Sequence, residues 1–252
     1  MNRSAGALVT ALALAVGASP ALAVSPVAKL RGNVSLTRTS PRGDRVKTPA
    51  RFHVGVSFGT DTPGAQLFTI QNATIFFPDH AGTNGRLFRS CDAATIASHH
   101  GDLTRCPRGS LIGRGKLSAQ VLGLNVAALG NVTLFNSHNG KDVTFNFETT
   151  QPADIDQSID APLTQLHGMY GERLVLVVPH SLQEVIPNVF VGIQSLNVTI
   201  SGSTHVRGIE YSYLRADACP GRAMHGIFGF EDFTTGQVAS TTADTDVRCT
   251  GG

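Results

Sequence analysis

The sequence predicts an all-β protein: an antiparallel β-sandwich, of jelly-roll or Ig-like type, with little helix. Three observations predict it. Several short segments alternate apolar and polar residues with period two, the mark of a strand with one buried face. Turn-forming residues, 27 glycines among them, recur between those segments. Charged residues make up only 15% of the chain, against the usual quarter.

The elements follow in order. Residues 66–77 read as a strand that ends in Ile75-Phe76-Phe77 and is closed by Pro78. Residues 131–136 place Val132 and Leu134 on one face. In 142–150, Val143, Phe145 and Phe147 share a face, and Thr144, Asn146 and Glu148 share the other. Asn139-Gly140 between these two segments is a hairpin turn signal. Residues 173–179 form a nearly continuous apolar run, as in the centre of a sandwich. In 189–200 the apolar parity switches near Gln194-Ser195, which predicts a bulge. Strands over 204–214, 224–233 and 237–248 complete the set, the last two joined by a turn at Thr234-Thr235-Gly236. Helix is confined to 92–99, with Asp92 near its N-terminus, and to one turn over 181–185 stopped by Pro187.

The N-terminus reads as a secretory signal peptide over residues 1–23. Arg3 supplies the positive charge, 5–18 the apolar core, and Ala21-Leu22-Ala23 the small-x-small cleavage site. That run is too short to span a bilayer, and no later one is long enough, so no membrane span is expected after cleavage. Residues 24–51 carry Lys29, Arg31, Arg38, Arg42, Arg45, Lys47 and Arg51 and read as a basic, mobile N-terminal arm. Residues 52–252 are then a single sandwich-type domain. The net charge is +2 with no block of one sign, which gives no basis for nucleic-acid binding.

Four cysteines in an exported chain argue for disulfides. The pairing Cys91–Cys106 and Cys219–Cys249 closes the shortest loops. Neither spacing is the close pair that a zinc site needs.

A wider set of residues carries a resemblance. Phe77-Pro78, Asn84-Gly85 and Phe88 precede Cys91, and Cys106-Pro107-Arg108-Gly109-Ser110-Leu111-Ile112-Gly113-Arg114-Gly115 follows. Tyr170-Gly171, Val178-Pro179, Cys219-Pro220 and Val247-Arg248-Cys249 come later. The chain resembles exported proteins of high-GC Gram-positive bacteria that carry a C-P-x-x-S-x-x-G-x-G segment and a late C-P…C pair. The resemblance covers most of 66–249. It implies export and the local disulfide pairing, and it implies no activity, cofactor or catalytic residue.

Two constellations hold metal-ligand residue types. His99-His100-Gly101-Asp102 lies in the Cys91–Cys106 loop, although adjacent histidines diverge on helix and strand alike. Asp154, Asp156, Ser158 and Asp160 form D-x-D-x-S-x-D, with oxygen ligands at alternate positions that suit calcium. Ile159 and Gln165 stand where an EF-hand needs Gly and Glu, so the same residues also read as an edge strand with an acidic outer face. No catalytic residue is assigned. Gly109-Ser110-Leu111-Ile112-Gly113 has the wrong spacing for a nucleophile elbow, and Gly109, Gly113 and Gly115 read as turn and bulge positions. There is no Trp to make a flat sugar platform; Tyr211 and Tyr213, two apart, are the remaining candidates or else core residues.

The expected function is that of an exported, non-enzymatic protein, secreted or held at the cell envelope. Its role would be binding or structural, with an envelope polymer or another exported protein as partner. The alternatives are a hydrolase of envelope or environmental polymer and a carrier of lipid or another small ligand. A large apolar cavity would mark the carrier.

Overall fold

Alternation decides the first element. Leu30, Gly32 and Val34 are buried while Lys29, Arg31 and Asn33 are exposed, so β1 (Pro26–Leu36) lays one face on the core. The computed structural model describes residues 24–36, 48–79, 81–124, 126–152, 154–216 and 223–250. Strand β2 (Thr48–Thr60) pairs antiparallel with β1, from Pro26 opposite Thr60 to Leu36 opposite Ala50. This corrects the mobile arm expected over 24–51. Residues 26–36 and 48–51 are strand, and Lys29 and Arg31 form its solvent face. Residues 37–47 and the signal peptide of 1–23 lie outside the described residues.

The chain continues through β3 (Thr69–Pro78), β4 (Ala81–Thr83), α1 (Ala93–Ser98), β5 (Leu111–Val121), β6 (Val126–Ser137), β7 (Asp142–Thr149) and β8 (Ile155–Gln165). Next come β9 (Tyr170–Val177), α2 (His180–Gln183), β10 (Glu184–Ile186), β11 (Val189–Ile200), β12 (Ser203–Val206) and β13 (Ile209–Ser212). Strands β14 (Leu214–Ala216), β15 (Ala223–Glu231), β16 (Val238–Asp246) and β17 (Arg248–Thr250) end it. Local chemistry sets the joints. Asn139 and Gly140 take positive φ of 57° and 83° in the β6–β7 turn, as a tight hairpin requires. The predicted bulge in β11 is a register shift against β5 between Ile193 and Ser195. Gly113 and Gly115 sit in β5 where the β11 backbone comes close: a methyl on Gly113 would meet the Thr199 carbonyl at 2.7 Å.

One sheet of 15 strands holds the protein together, in the order β16-β15-β3-β9-β8-β7-β6-β5-β11-β2-β1-β17. Its ladders are antiparallel except β1 with β17. Strand β8 turns the corner: residues 155–162 pair with β7, and residues 163–165 pair with β9. Beyond that corner β9, β3, β15 and β16 fold back, so that β1 lies against β16. A long sheet that curls this way buries its inner face as two layers. Phe52, Ile70, Met224, Phe228 and Phe230 fill one end of the interior; Val132, Leu134, Val143, Phe145 and Phe147 fill the other.

A third, smaller core lies outside the sheet. The Cys91–Cys106 disulfide forms as expected, with Cα atoms 5.4 Å apart. It ties a loop carrying α1 over the outer face of β6, β7 and β8, burying Cys91, Ile96 and Phe135. Cys219 and the Cys249 side chain lie outside the described residues, so the second expected bridge does too.

Candidate functional site

The acidic stripe lies under this loop, whose Gly101 comes against Asp156. Asp156, Ser158 and Asp160 point outward from β8, while Ile155 and Ile159 point inward. Asp160 accepts hydrogen bonds from the Ala93 N–H at the start of α1 and from the Thr144 hydroxyl. Asp156 accepts from Asn146 Nδ2 at 2.7 Å. Thr144 and Asn146, on the face of β7 opposite Val143, Phe145 and Phe147, are buried and satisfied by these carboxylates. A methyl on Gly101 would overlap the Asp156 carboxylate, and Gly101 has φ of +79°, so only glycine suits this contact. His99 and His100 flank it on the exposed turn after α1, and Asp154 is exposed ahead of β8. Among the described residues, no group of three or more His, Cys, Asp or Glu is placed to hold a metal ion. Asp160 anchors the loop through Ala93, and Asp156 bonds Asn146 of β7 beneath it.

At the N-terminus of α1, Asp92 accepts from Thr95 N at 2.7 Å. Hydrogen bonding from Thr95 holds the Asp92 carboxyl below its ordinary value of 3.8, and nearby His138 adds to this. Tyr211 and Tyr213 make no platform, because Tyr213 is 1% exposed and stacks edge-on against Phe88 inside the core.

The feature that sequence reasoning did not locate is inside the sheet. A cavity of about 150 Å³ lies between the two layers. Ala73, Ile75, Leu174, Leu176 and Phe228 wall it on one side; Val56, Leu117, Phe147, Ile193 and Val198 wall it on the other. Among the described residues, Thr149 is the only lining residue with a polar side chain. The room comes from small residues at inward positions. Ala119 and Ala128 face each other across the β5–β6 ladder, both are buried, and both line the cavity. Two adjacent inward alanines in strands otherwise filled with Leu, Val and Phe are the one sequence signal that pointed here.

A second chamber of about 70 Å³ follows at the Ile200 end of β11. Phe77, Leu134, Phe145, Leu174 and Ile200 border both spaces and form the wall between them. Among the described residues, four polar side chains line only the smaller chamber: Thr83, Glu172, Tyr213 and Arg215. Glu172 accepts at Oε1 from Thr83 N at 3.1 Å and from the Thr83 hydroxyl at 3.2 Å. Arg215 lies over Gly82, and its buried Nε has no hydrogen-bond partner. The Tyr213 hydroxyl is likewise buried and without a partner; burial, with the charge of Glu172 adding, raises its pKa well above the ordinary value.

Comparison with protein-family models, with curated proteins and with solved structures finds no match.

Proposed function

We propose that the protein is an exported carrier that holds one small apolar ligand between its two sheet layers. The observation that carries this reading is the cavity of about 150 Å³ with a single polar side chain in its lining among the described residues. Native cores are close-packed, with few voids larger than a water molecule, so an empty space of this size is a cost that a merely structural sandwich has no reason to keep. Apolar cavities on this scale stay dry and accept hydrocarbon. At about 30 Å³ for each water- or methylene-sized group, the cavity holds roughly five such groups and the second chamber roughly two. The matching ligand is a short hydrocarbon chain or a small ring of about the size of benzene.

The test is titration with an apolar fluorophore such as 1-N-phenylnaphthylamine. The chain has no Trp, so its own emission interferes little. Saturable enhancement at one site per chain, displaced by benzene and weakened by Ala128→Phe, supports the carrier. Enhancement that Ala128→Phe leaves unchanged places the dye on the surface and removes the support.

A further inference from the structure

The sequence holds no run of one charge, but the sheet assembles one. Six strands adjacent in the sheet, β6-β5-β11-β2-β1-β17, contain no Asp or Glu. They carry Lys29, Arg31, Arg51, Arg114, Lys116 and Arg248, and all six are exposed. Their neighbours Leu30, Phe52, Leu117 and Val247 are buried, so alternation puts the cations on the outer face. Register aligns them. Arg31, Gly55, Asn197 and Lys116 follow one another across β1, β2, β11 and β5. Arg248, Asn33, His53, Thr199 and Arg114 make the next row. A methyl on Gly55 would meet the Asn197 side chain at 2.7 Å and the Arg31 Cβ at 3.9 Å, which puts both on this face. Among the described residues, none of the six cations makes an ion pair; Lys116 donates to the neutral Asn131 Oδ1 at 2.6 Å. Carboxylates stand only at the borders: Glu148 of β7 beyond Asn131, and Asp244 and Asp246 of β16 beyond β1. Surfaces ordinarily mix both signs, because like charges held together repel.

Independently of the carrier reading, we propose that this outer face binds an acidic polysaccharide, a chain of sugars that repeats a carboxylate. Spacing points to a polymer. Four strand intervals separate β17 from β5, about 19 Å at about 4.8 Å each. Cations spread that far cannot converge on one small anion, whereas a repeating anion meets several of them. The groups between them, Asn33, Ser57, Asn197 and Thr199, are amides and hydroxyls, which pair with sugar hydroxyls. Among the described residues, no large apolar side chain is exposed on β1, β2, β5 or β11, so the face lacks the anchors that bury into a bilayer surface.

The experiment measures binding to immobilised polygalacturonate and to its methyl ester, which keeps the sugar chain and loses the charge. The protein is expressed from the full sequence with its own leader. Saturable binding to the acid form is expected, weakening as salt rises from about 0.05 to about 0.5 M, with little binding to the ester. Arg31→Gln, Arg114→Gln and Lys116→Gln together are expected to lower affinity about tenfold, the size of three exposed charge pairs. Arg86→Gln, Arg89→Gln and Lys141→Gln remove the same charge from exposed positions off this face and are expected to leave affinity within about twofold. A circular dichroism spectrum checks that both variants fold. Equal binding to the ester, an equal loss in the two variants, or no binding overturns the proposal. Binding to phosphatidylglycerol vesicles or to duplex DNA without binding to polygalacturonate overturns it as well.

Discussion

Ala119→Leu separates a ligand cavity from a packed core by the sign of its effect. Ala119 is buried, lines the larger cavity, and faces Ala128 across the β5–β6 ladder. Leucine adds three carbons. At about 0.8 kcal/mol per buried methylene, filling the void contributes about 2.4 kcal/mol. Loss of leucine rotamer freedom offsets about 0.5–1 kcal/mol of that, which leaves a gain of about 1.5–2 kcal/mol. For a domain of this size, 1 kcal/mol shifts Tm by about 2–4 °C, so the variant is expected to melt roughly 3–8 °C higher. The same three carbons occupy more than half of the space available to a ligand, so ligand binding falls as stability rises. Differential scanning fluorimetry and dye titration on the same sample read both effects. In a close-packed core the substitution would instead cost about 1–3 kcal/mol through off-rotamer side chains and backbone shifts. A lower Tm for Ala119→Leu in lipid-free protein refutes the cavity argument.

Three further expectations concern the frame of the site. Tyr213→Phe removes a buried, unpartnered hydroxyl and is expected to stabilise the lipid-free protein by about 1 kcal/mol, read by urea unfolding; a loss of stability would mean that the hydroxyl has a partner after all. Asp160→Ala leaves the buried Thr144 hydroxyl and the Ala93 N–H unpaired and is expected to cost about 1–3 kcal/mol, with faster amide exchange over 91–106; unchanged exchange there would show that the carboxylate does not anchor the loop. Thr95 holds the Asp92 carboxyl below its ordinary value of 3.8 in the folded state, so ionised Asp92 stabilises the protein fully only above that value, and the contribution fades as pH falls through the lower, folded-state pKa. Asp92→Asn keeps a capping oxygen but does not titrate, so the wild-type advantage over it is expected to shrink below about pH 4; an advantage constant from pH 6 to pH 3 would exclude this linkage.

The sequence was most legible where short-range rules decide the outcome. The β6–β7 hairpin follows from alternation of Val132, Leu134, Val143, Phe145 and Phe147 and from the left-handed turn that Asn139-Gly140 accepts. The bulge in β11 shows as a parity switch, and α1 shows through its Asp92 cap. Strand β1 was obscured by its charges: Lys29 and Arg31 suggest a mobile arm when counted, but they occupy alternate positions with Leu30, Gly32 and Val34. The acidic stripe was legible as an outer strand face, and its second meaning as an anchor was not, because Ala93, Thr144 and Gly101 reach it only through tertiary structure. The chambers were the least legible. A void is set by what several strands jointly fail to fill, and an orphan hydroxyl such as that of Tyr213 is defined only by its surroundings.

The most direct measurement is calorimetric titration of the purified protein with benzene. An interior that holds one small apolar ligand takes up one benzene per chain, and Ala128→Phe weakens that uptake. No saturable uptake, or uptake that Ala128→Phe leaves unchanged, contradicts a ligand-binding interior.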